Sequence, residues 1–232
     1  MIKKHYRNFK ILKLWTDDKD YYCFLAKNHK RSGIKTIVFD YGGVIGNDPS
    51  EKIYEVVSKN LDINKNILKK NFMKFFIPLS KGKISVTDFW KEFSRSLDLS
   101  GMEKLEQLWL RTFRRYAKVN NKVFSYIKPF MGKFKFCLLS NNISFYETEN
   151  SQRLLRKYFC PIVYSFEIGM RKPEKEMYDY ILKKTGSRPE ETLFIDDDET
   201  KLDYPRKISA PTLVFKNNRR FKKELNKILI YG

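Results

Sequence analysis

Short apolar runs that stop abruptly on a polar residue, separated by helical stretches, constrain the fold of this chain more than any other feature. Ile34-Lys35-Thr36-Ile37-Val38-Phe39 ends on Asp40, Leu138-Leu139 ends on Ser140, and Leu193-Phe194-Ile195 ends on Asp196. Runs of this length rich in β-branched and aromatic residues read as buried strands. Strands alternating with helices predict an α/β fold, a doubly wound parallel sheet with its site at the strand carboxyl ends. Every acidic or polar motif of the sequence falls at such an end.

The pattern predicts strands over residues 34–39, 133–139, 162–166, 192–195 and 211–215. Helices are expected over 122–130, 152–158 and 174–184, and from Arg219 onward. Between Pro49 and Asn120 the periodicity is helical throughout, with Ile53, Val56 and Val57 on one face and Leu105, Leu108, Trp109, Phe113 and Tyr116 on another. Residues 34–48 and 121–232 are therefore expected to form a core domain, interrupted by a helical cap over 49–120. Residues 1–33 read as a basic appendage, with Phe9–Trp15 and Tyr21–Ala26 as a candidate hairpin around the turn-like residues 16–20.

The chain has 232 residues, 42% of them hydrophobic. That is enough for one substantial core with an elaboration and excludes a disordered solvating chain. Cys23, Cys137 and Cys160 form no C-x-x-C pair, which argues against structural zinc and favours a reducing, cytoplasmic setting. No run is long enough to span a bilayer. The net charge of +20 is spread widely, with nine Lys/Arg against three Asp in residues 1–33 and six against one Glu in residues 216–232. Such a field attracts polyanions, so nucleic acid is an alternative partner. Charge distributed this evenly fits solvated lysines better than a single binding face.

Four motifs carry chemistry. In Phe39-Asp40-Tyr41-Gly42-Gly43-Val44, a carboxylate leaves a strand and two glycines follow, so that backbone N–H groups, Gly43 among them, can approach a phosphate without a Cβ in the way. Ser140 and Asn141 offer a hydroxyl and an amide suited to a phosphoryl oxygen. Gly169-Met170-Arg171-Lys172-Pro173 sets two cations in a turn before a helix, with Lys172 suited to neutralise a nucleophile and a transferred group. Asp196-Asp197-Asp198 packs three acids after a buried strand, which is unfavourable without a cation, and Mg²⁺ is the natural occupant. Taken singly, each motif is also what an ordinary turn, loop start or solvated surface provides.

In this order, over roughly residues 34–215, the four motifs resemble the haloacid-dehalogenase-like superfamily. Within it they look most like the sugar-phosphate phosphatases of the glucose-1-phosphate phosphatase type and the phosphatase domain of epoxide hydrolases. The resemblance implies Asp40 as nucleophile and metal ligand, and Ser140 and Lys172 at the phosphate. It implies Asp197 as a second carboxylate ligand beside Asp196, the carbonyl of Gly42 as a further ligand of Mg²⁺, and a cap that closes over a small phosphorylated metabolite.

Two positions depart from that pattern. The acid that protonates the leaving oxygen in most of these phosphatases is here Gly42, and the Asn or Asp expected four residues after the metal ligand is Lys201. Asp48 is a possible substitute acid, although Asp48-Pro49-Ser50 reads more simply as the start of the first cap helix. The expected function is a Mg²⁺-dependent phosphatase working through a phosphoryl-aspartate. The alternatives are a weakened scaffold that binds nucleic acid or another anionic partner, and a haloacid dehalogenase.

Overall fold

The computed structural model describes residues 9–14, 21–26, 33–146 and 149–230. Strands β1 (Phe9–Leu14) and β2 (Tyr21–Ala26) pair antiparallel, as the hairpin reading expects, while Trp15 and the turn residues 16–20 lie outside the described residues. They are followed by β3 (Thr36–Phe39), β4 (Lys135–Ser140), β5 (Ile162–Tyr164), β6 (Thr192–Asp196) and β7 (Thr212–Val214). The sheet order is β1-β2-β7-β6-β3-β4-β5. From β7 to β5 every pairing is parallel. The hairpin is not set apart from this sheet, because β2 runs antiparallel along β7 with Phe24 opposite Thr212.

Alternation along the strands separates two apolar layers. Ile37, Phe39, Phe136, Leu138, Leu193 and Ile195 face one side, where they pack with Val123 and Phe124 of α5 (Asn121–Ile127) and Phe221 and Leu225 of α10 (Asn218–Ile230). Val38, Cys137, Leu139 and Phe194 face the other, against Met177, Tyr178 and Ile181 of α8 (Lys175–Thr185). With a helix layer on each face, the sheet is doubly wound.

The cap segment forms α1 (Ser50–Leu61), α2 (Lys65–Ser80), α3 (Val86–Arg95) and α4 (Glu103–Tyr116). Asn64 starts α2 by accepting the backbone N–H groups of Asn66 and Ile67, and Ser85 starts α3 by accepting that of Asp88. The four helices enclose an aromatic core of their own, in which Phe72 stacks on Trp109 at 4.5 Å, with Tyr54, Phe89, Trp90 and Phe93 around the pair. Each fully buried aromatic of this kind is worth about 1.5–3 kcal/mol of transfer free energy.

Two strands of connecting chain join cap to core and are cross-tied. The Asn47 side chain donates to the Tyr116 carbonyl at 3.0 Å and accepts the Lys118 N–H at 2.6 Å. The backbone adds Asn47 N–H to Lys118 and Asn120 N–H to Ile45. Beyond β4, the loop at Ile143–Tyr146 inserts into the cap, where Tyr146 stacks on Phe113 at 3.9 Å and accepts the Trp109 indole N–H at 2.8 Å.

Three elements differ from the sequence pattern. Residues 162–166 do not stay extended, since α7 (Ser165–Ile168) begins where the Ser165 hydroxyl bonds both the N–H and the carbonyl of Asn142. The helix expected over 152–158 begins earlier and ends earlier, as α6 (Glu149–Arg156). A short helix, α9 (Asp203–Lys207), occupies a stretch whose internal Pro205 hides any helical signal. Among the described residues, no helix is long and apolar enough to cross a membrane.

Candidate active site

The parallel register brings the polar strand ends together. Phe39 of β3 lies opposite Leu138 of β4 and Ile195 of β6, so Asp40 leaves the sheet beside Ser140 and Asp196. The Asp40 N–H still donates to the Ile195 carbonyl at 2.8 Å, which fixes the carboxylate at the sheet margin. The chain then folds tightly on the Tyr41 carbonyl, which accepts the N–H groups of Val44, Ile45 and Gly46. Gly43 takes φ +76°, and a Cβ there would come within 2.1 Å of an Asp197 carboxylate oxygen. Both observations require glycine at 43, whereas a Cβ at Gly42 would meet nothing within 4 Å.

Asp40, Asp196 and Asp197 each offer an oxygen, all within 4.8 Å of one another. Asp40 and Asp196 are 5% and 2% exposed. Lys172, 4% exposed, places its Nζ 2.7 Å from Asp40 Oδ1 and 2.5 Å from Asp196 Oδ2. Lys201 Nζ approaches the same cluster at longer range, 3.6 Å from Asp196 Oδ1, 3.9 Å from Asp198 Oδ2 and 4.0 Å from Asp40 Oδ2. Three carboxylates of hard oxygen donors this close together suit a hard divalent ion, and the donor set fits Mg²⁺. The two ammonium groups leave one of the three negative charges uncompensated.

Burial, working against the charge of Lys172, raises the Asp40 carboxyl above its ordinary value, and Asp196 adds to the rise. Asp197 is pushed up to about 6 by burial and then by Asp40 and Asp196. Burial alone would lower Lys172, but Asp40 and Asp196 outweigh it and hold its ammonium charged above the usual lysine range.

Asn141, expected at the phosphate, lines the cleft and is tied to the backbone of Lys172. Its carboxamide donates to the Lys172 carbonyl at 2.9 Å and accepts the Lys172 N–H at 2.8 Å, so the side chain fixes the backbone that carries the ammonium. Ser140 is buried at the end of β4 and lines the cleft beside Asp40. Asp48 also lines the cleft, and its Oδ1 accepts both the N–H and the hydroxyl of Ser50, which fits the start of α1.

Cap and core enclose a cleft of about 490 Å³ over the carboxylates. From the cap it is lined by Tyr54, Lys69, Phe72, Phe76 and Phe113, and from the core by Arg171 among others. These cap residues gave no sign of their role in the sequence, because a helix face that lines a cleft has the same apolar period as one that fills a core.

A parallel sheet that gathers three carboxylates and two ammonium groups at its carboxyl edge beneath a helical insert defines an aspartate-centred hydrolase fold. The chain belongs to the haloacid dehalogenase-like hydrolases, whose family profile matches residues 34–203. Among curated proteins, D-ribitol-5-phosphate phosphatase of Bacteroides thetaiotaomicron is 29% identical over 209 residues, covering 84% of this chain and 98% of that protein. Bifunctional epoxide hydrolase 2 of Sus scrofa is 28% identical over 100 residues, 41% of this chain and 18% of that protein. A haloacid dehalogenase family enzyme of Bacteroides thetaiotaomicron, solved in complex with magnesium and inorganic phosphate, superposes with a TM-score of 0.65 at 21% identity, covering 79% of this chain and 94% of that one.

Proposed function

We propose that the chain is a Mg²⁺-dependent phosphatase that hydrolyses a small phosphorylated sugar, polyol or related metabolite through a phosphoryl-aspartate at Asp40. The observation that carries this reading is the buried Lys172 ammonium bridging Asp40 and Asp196 within a cluster of three carboxylates at the floor of a cleft. A cation this close opposes the effect of burial and favours the ionised, nucleophilic form of the carboxylate. The cleft volume suits a metabolite of a few carbons. D-ribitol-5-phosphate phosphatase as a relative, and magnesium with inorganic phosphate in a structural neighbour, point the same way.

In this mechanism Asp40 attacks phosphorus in line and the ester P–O bond breaks. Water then hydrolyses the acyl phosphate, releasing inorganic phosphate and regenerating Asp40. Lys172 neutralises the phosphoryl oxygens, the Ser140 hydroxyl and the Gly43 N–H donate to them, and Asn141 holds Lys172 in place. Asp40, Asp196, Asp197 and the Gly42 carbonyl would hold Mg²⁺, which supplies the further positive charge on which phosphoryl transfer depends. The four-helix insert acts as the cap that excludes water.

A dehalogenase has the same nucleophile but leaves the clustered Asp196 and Asp197 without a purpose. The test is phosphate release from a panel of phosphate monoesters, with and without Mg²⁺, by wild type and Asp40→Asn. Release that depends on Mg²⁺ and vanishes in a folded Asp40→Asn protein is expected. Turnover by Asp40→Asn close to wild type removes Asp40 from the role of nucleophile.

A further inference from the structure

Among the described residues, four cationic side chains reach the cleft or its floor, and three are committed to carboxylates. Lys172 holds Asp40 and Asp196, Lys201 faces the same acids with Asp198, and Lys69 is bonded to Glu51 at 2.6 Å. Arg171 is different. No carboxylate lies within ion-pair distance of its guanidinium among the described residues, and its Nε is buried without a hydrogen-bond partner. The nearest candidate, Glu174, has its carboxylate held by Lys81 at 2.5 Å, while its other oxygen accepts the Arg171 backbone N–H at 3.4 Å.

The side chain is nonetheless held in position. Its guanidinium carbon lies 5.8 Å from the centre of the Phe76 ring, so a core cation rests against a cap aromatic across the mouth of the cleft. Being adjacent in sequence, Lys172 turns down to the carboxylates and Arg171 turns toward the cap. Half-burial of a cation whose nearest carboxylate, Glu174, is already paired with Lys81 is costly, and the cost is recovered when an anion arrives with the ligand. Contact with Phe76 holds the guanidinium in place, and its two terminal amino groups suit a planar, bidentate acceptor.

We propose that Arg171, backed by Phe76, forms a second recognition subsite for a carboxylate at the end of the substrate remote from the phosphoryl group. The substrate class is then a phosphorylated sugar acid or hydroxy acid, in preference to the corresponding polyol phosphate. This inference rests on the phosphatase reading for its orientation, with the phosphoryl group at Asp40. Asp48 and Glu51, which also line the cleft, repel a carboxylate, so Arg171 is what makes the acid acceptable.

The test uses matched pairs of esters, three and five carbons long, in which one member ends in a primary alcohol and the other in a carboxylate. Glycerol 3-phosphate with 3-phosphoglycerate is the shorter pair. Calorimetric titration of Asp40→Asn protein with Mg²⁺ present reads binding without turnover. Within each protein the ratio of the two dissociation constants is taken, so any general loss of fold or affinity cancels. The acid is expected to bind about 10- to 100-fold tighter than its polyol partner in at least one pair, the value of a charge-assisted hydrogen bond. In Asp40→Asn/Arg171→Met the ratio should fall to one or below, and in Asp40→Asn/Arg171→Lys it should be partly restored. A ratio near one in Asp40→Asn for both pairs, or a preference that survives Arg171→Met, overturns the subsite. Phosphate release by wild type is scored separately: a preserved binding ratio with no release from any ester refutes the phosphatase and leaves the subsite standing.

Discussion

Gly42 stands where the family resemblance implies an acid that protonates the leaving oxygen, and the structure leaves room for one. A Cβ at this position meets no atom within 4 Å, and Gly42, unlike Gly43, does not take a positive φ, so Gly42→Asp introduces no overlap at its Cβ and no backbone strain. The position lines the cleft, so the new carboxyl lies on the substrate side. General acid catalysis contributes about 10²- to 10⁴-fold. A side chain added to open space has no neighbours to hold it, which argues for the lower limit. Fixing its rotamers costs about 0.5–1 kcal/mol, roughly two- to fivefold in rate. The expected gain in kcat/KM is therefore about 20- to 50-fold on an alkyl ester such as glycerol 3-phosphate. On p-nitrophenyl phosphate, whose leaving oxygen needs little protonation, the change should stay within about threefold. Both rates are read by phosphate release at fixed Mg²⁺, with thermal melting to confirm the fold. No gain on the alkyl ester in a folded variant means that another residue already supplies the proton. Asp48→Asn in the wild-type background then tests the acid on the cleft wall.

Lys201→Asn should tighten Mg²⁺ binding about tenfold, near 1.4 kcal/mol, because it removes an ammonium 3.6 to 4.0 Å from the carboxylate oxygens that would hold the ion. An unchanged dissociation constant by calorimetry refutes that competition. Gly43→Ala should blunt the rise in melting temperature produced by Mg²⁺, since its Cβ displaces Asp197; an undiminished shift would take Asp197 out of the ligand set. Trp109→Ala should cost about 3–5 kcal/mol in denaturant unfolding by emptying the centre of the cap core, and a loss under 1 kcal/mol would mean that the cap repacks. Arg188 and Lys35 bond the Glu191 carboxylate and push it down to about 2, a stabilisation present above the ordinary carboxylate range and lost as pH falls toward 2. Glu191→Gln should therefore melt slightly below wild type at pH 7, the two curves converging near pH 2; a gap that persists there would assign the effect to packing.

The parallel sheet was legible because its strands are short, β-branched and ended by polar residues, so Asp40, Ser140 and Asp196 could be aligned before any coordinates. Lys172 was recognisable from its place in the Gly169–Pro173 turn, but its bridge between two particular carboxylates depends on β3 and β6 being neighbours, which strand order decides and local pattern does not. Asn141 is legible as a cleft residue at the end of β4, but its bonds to backbone 31 residues later are a long-range pairing without a local signature. Arg171 is legible as a cation, whereas the pairing of its nearest carboxylate, Glu174, with Lys81 depends on the cap and core meeting and has no local signature. Tyr54, Phe72 and Phe76 pack in the cap core, and what no periodicity reveals is that one side of the packed cluster faces the cleft.

The placing of β2 against β7 has a consequence for the order in which the chain assembles. Among the described strands the hairpin comes first in chain order and the strand it docks on comes last. A two-stranded ribbon is marginal by itself in water, so the hairpin has no sheet to join until β7 has been made. The central strand β3 finds β4 across the length of the cap and β6 later still, and closing those long loops sets the pace of folding. Docking of the hairpin is thus a late event that seals one margin of a sheet already formed, while the opposite margin ends on β5, a strand of only three residues.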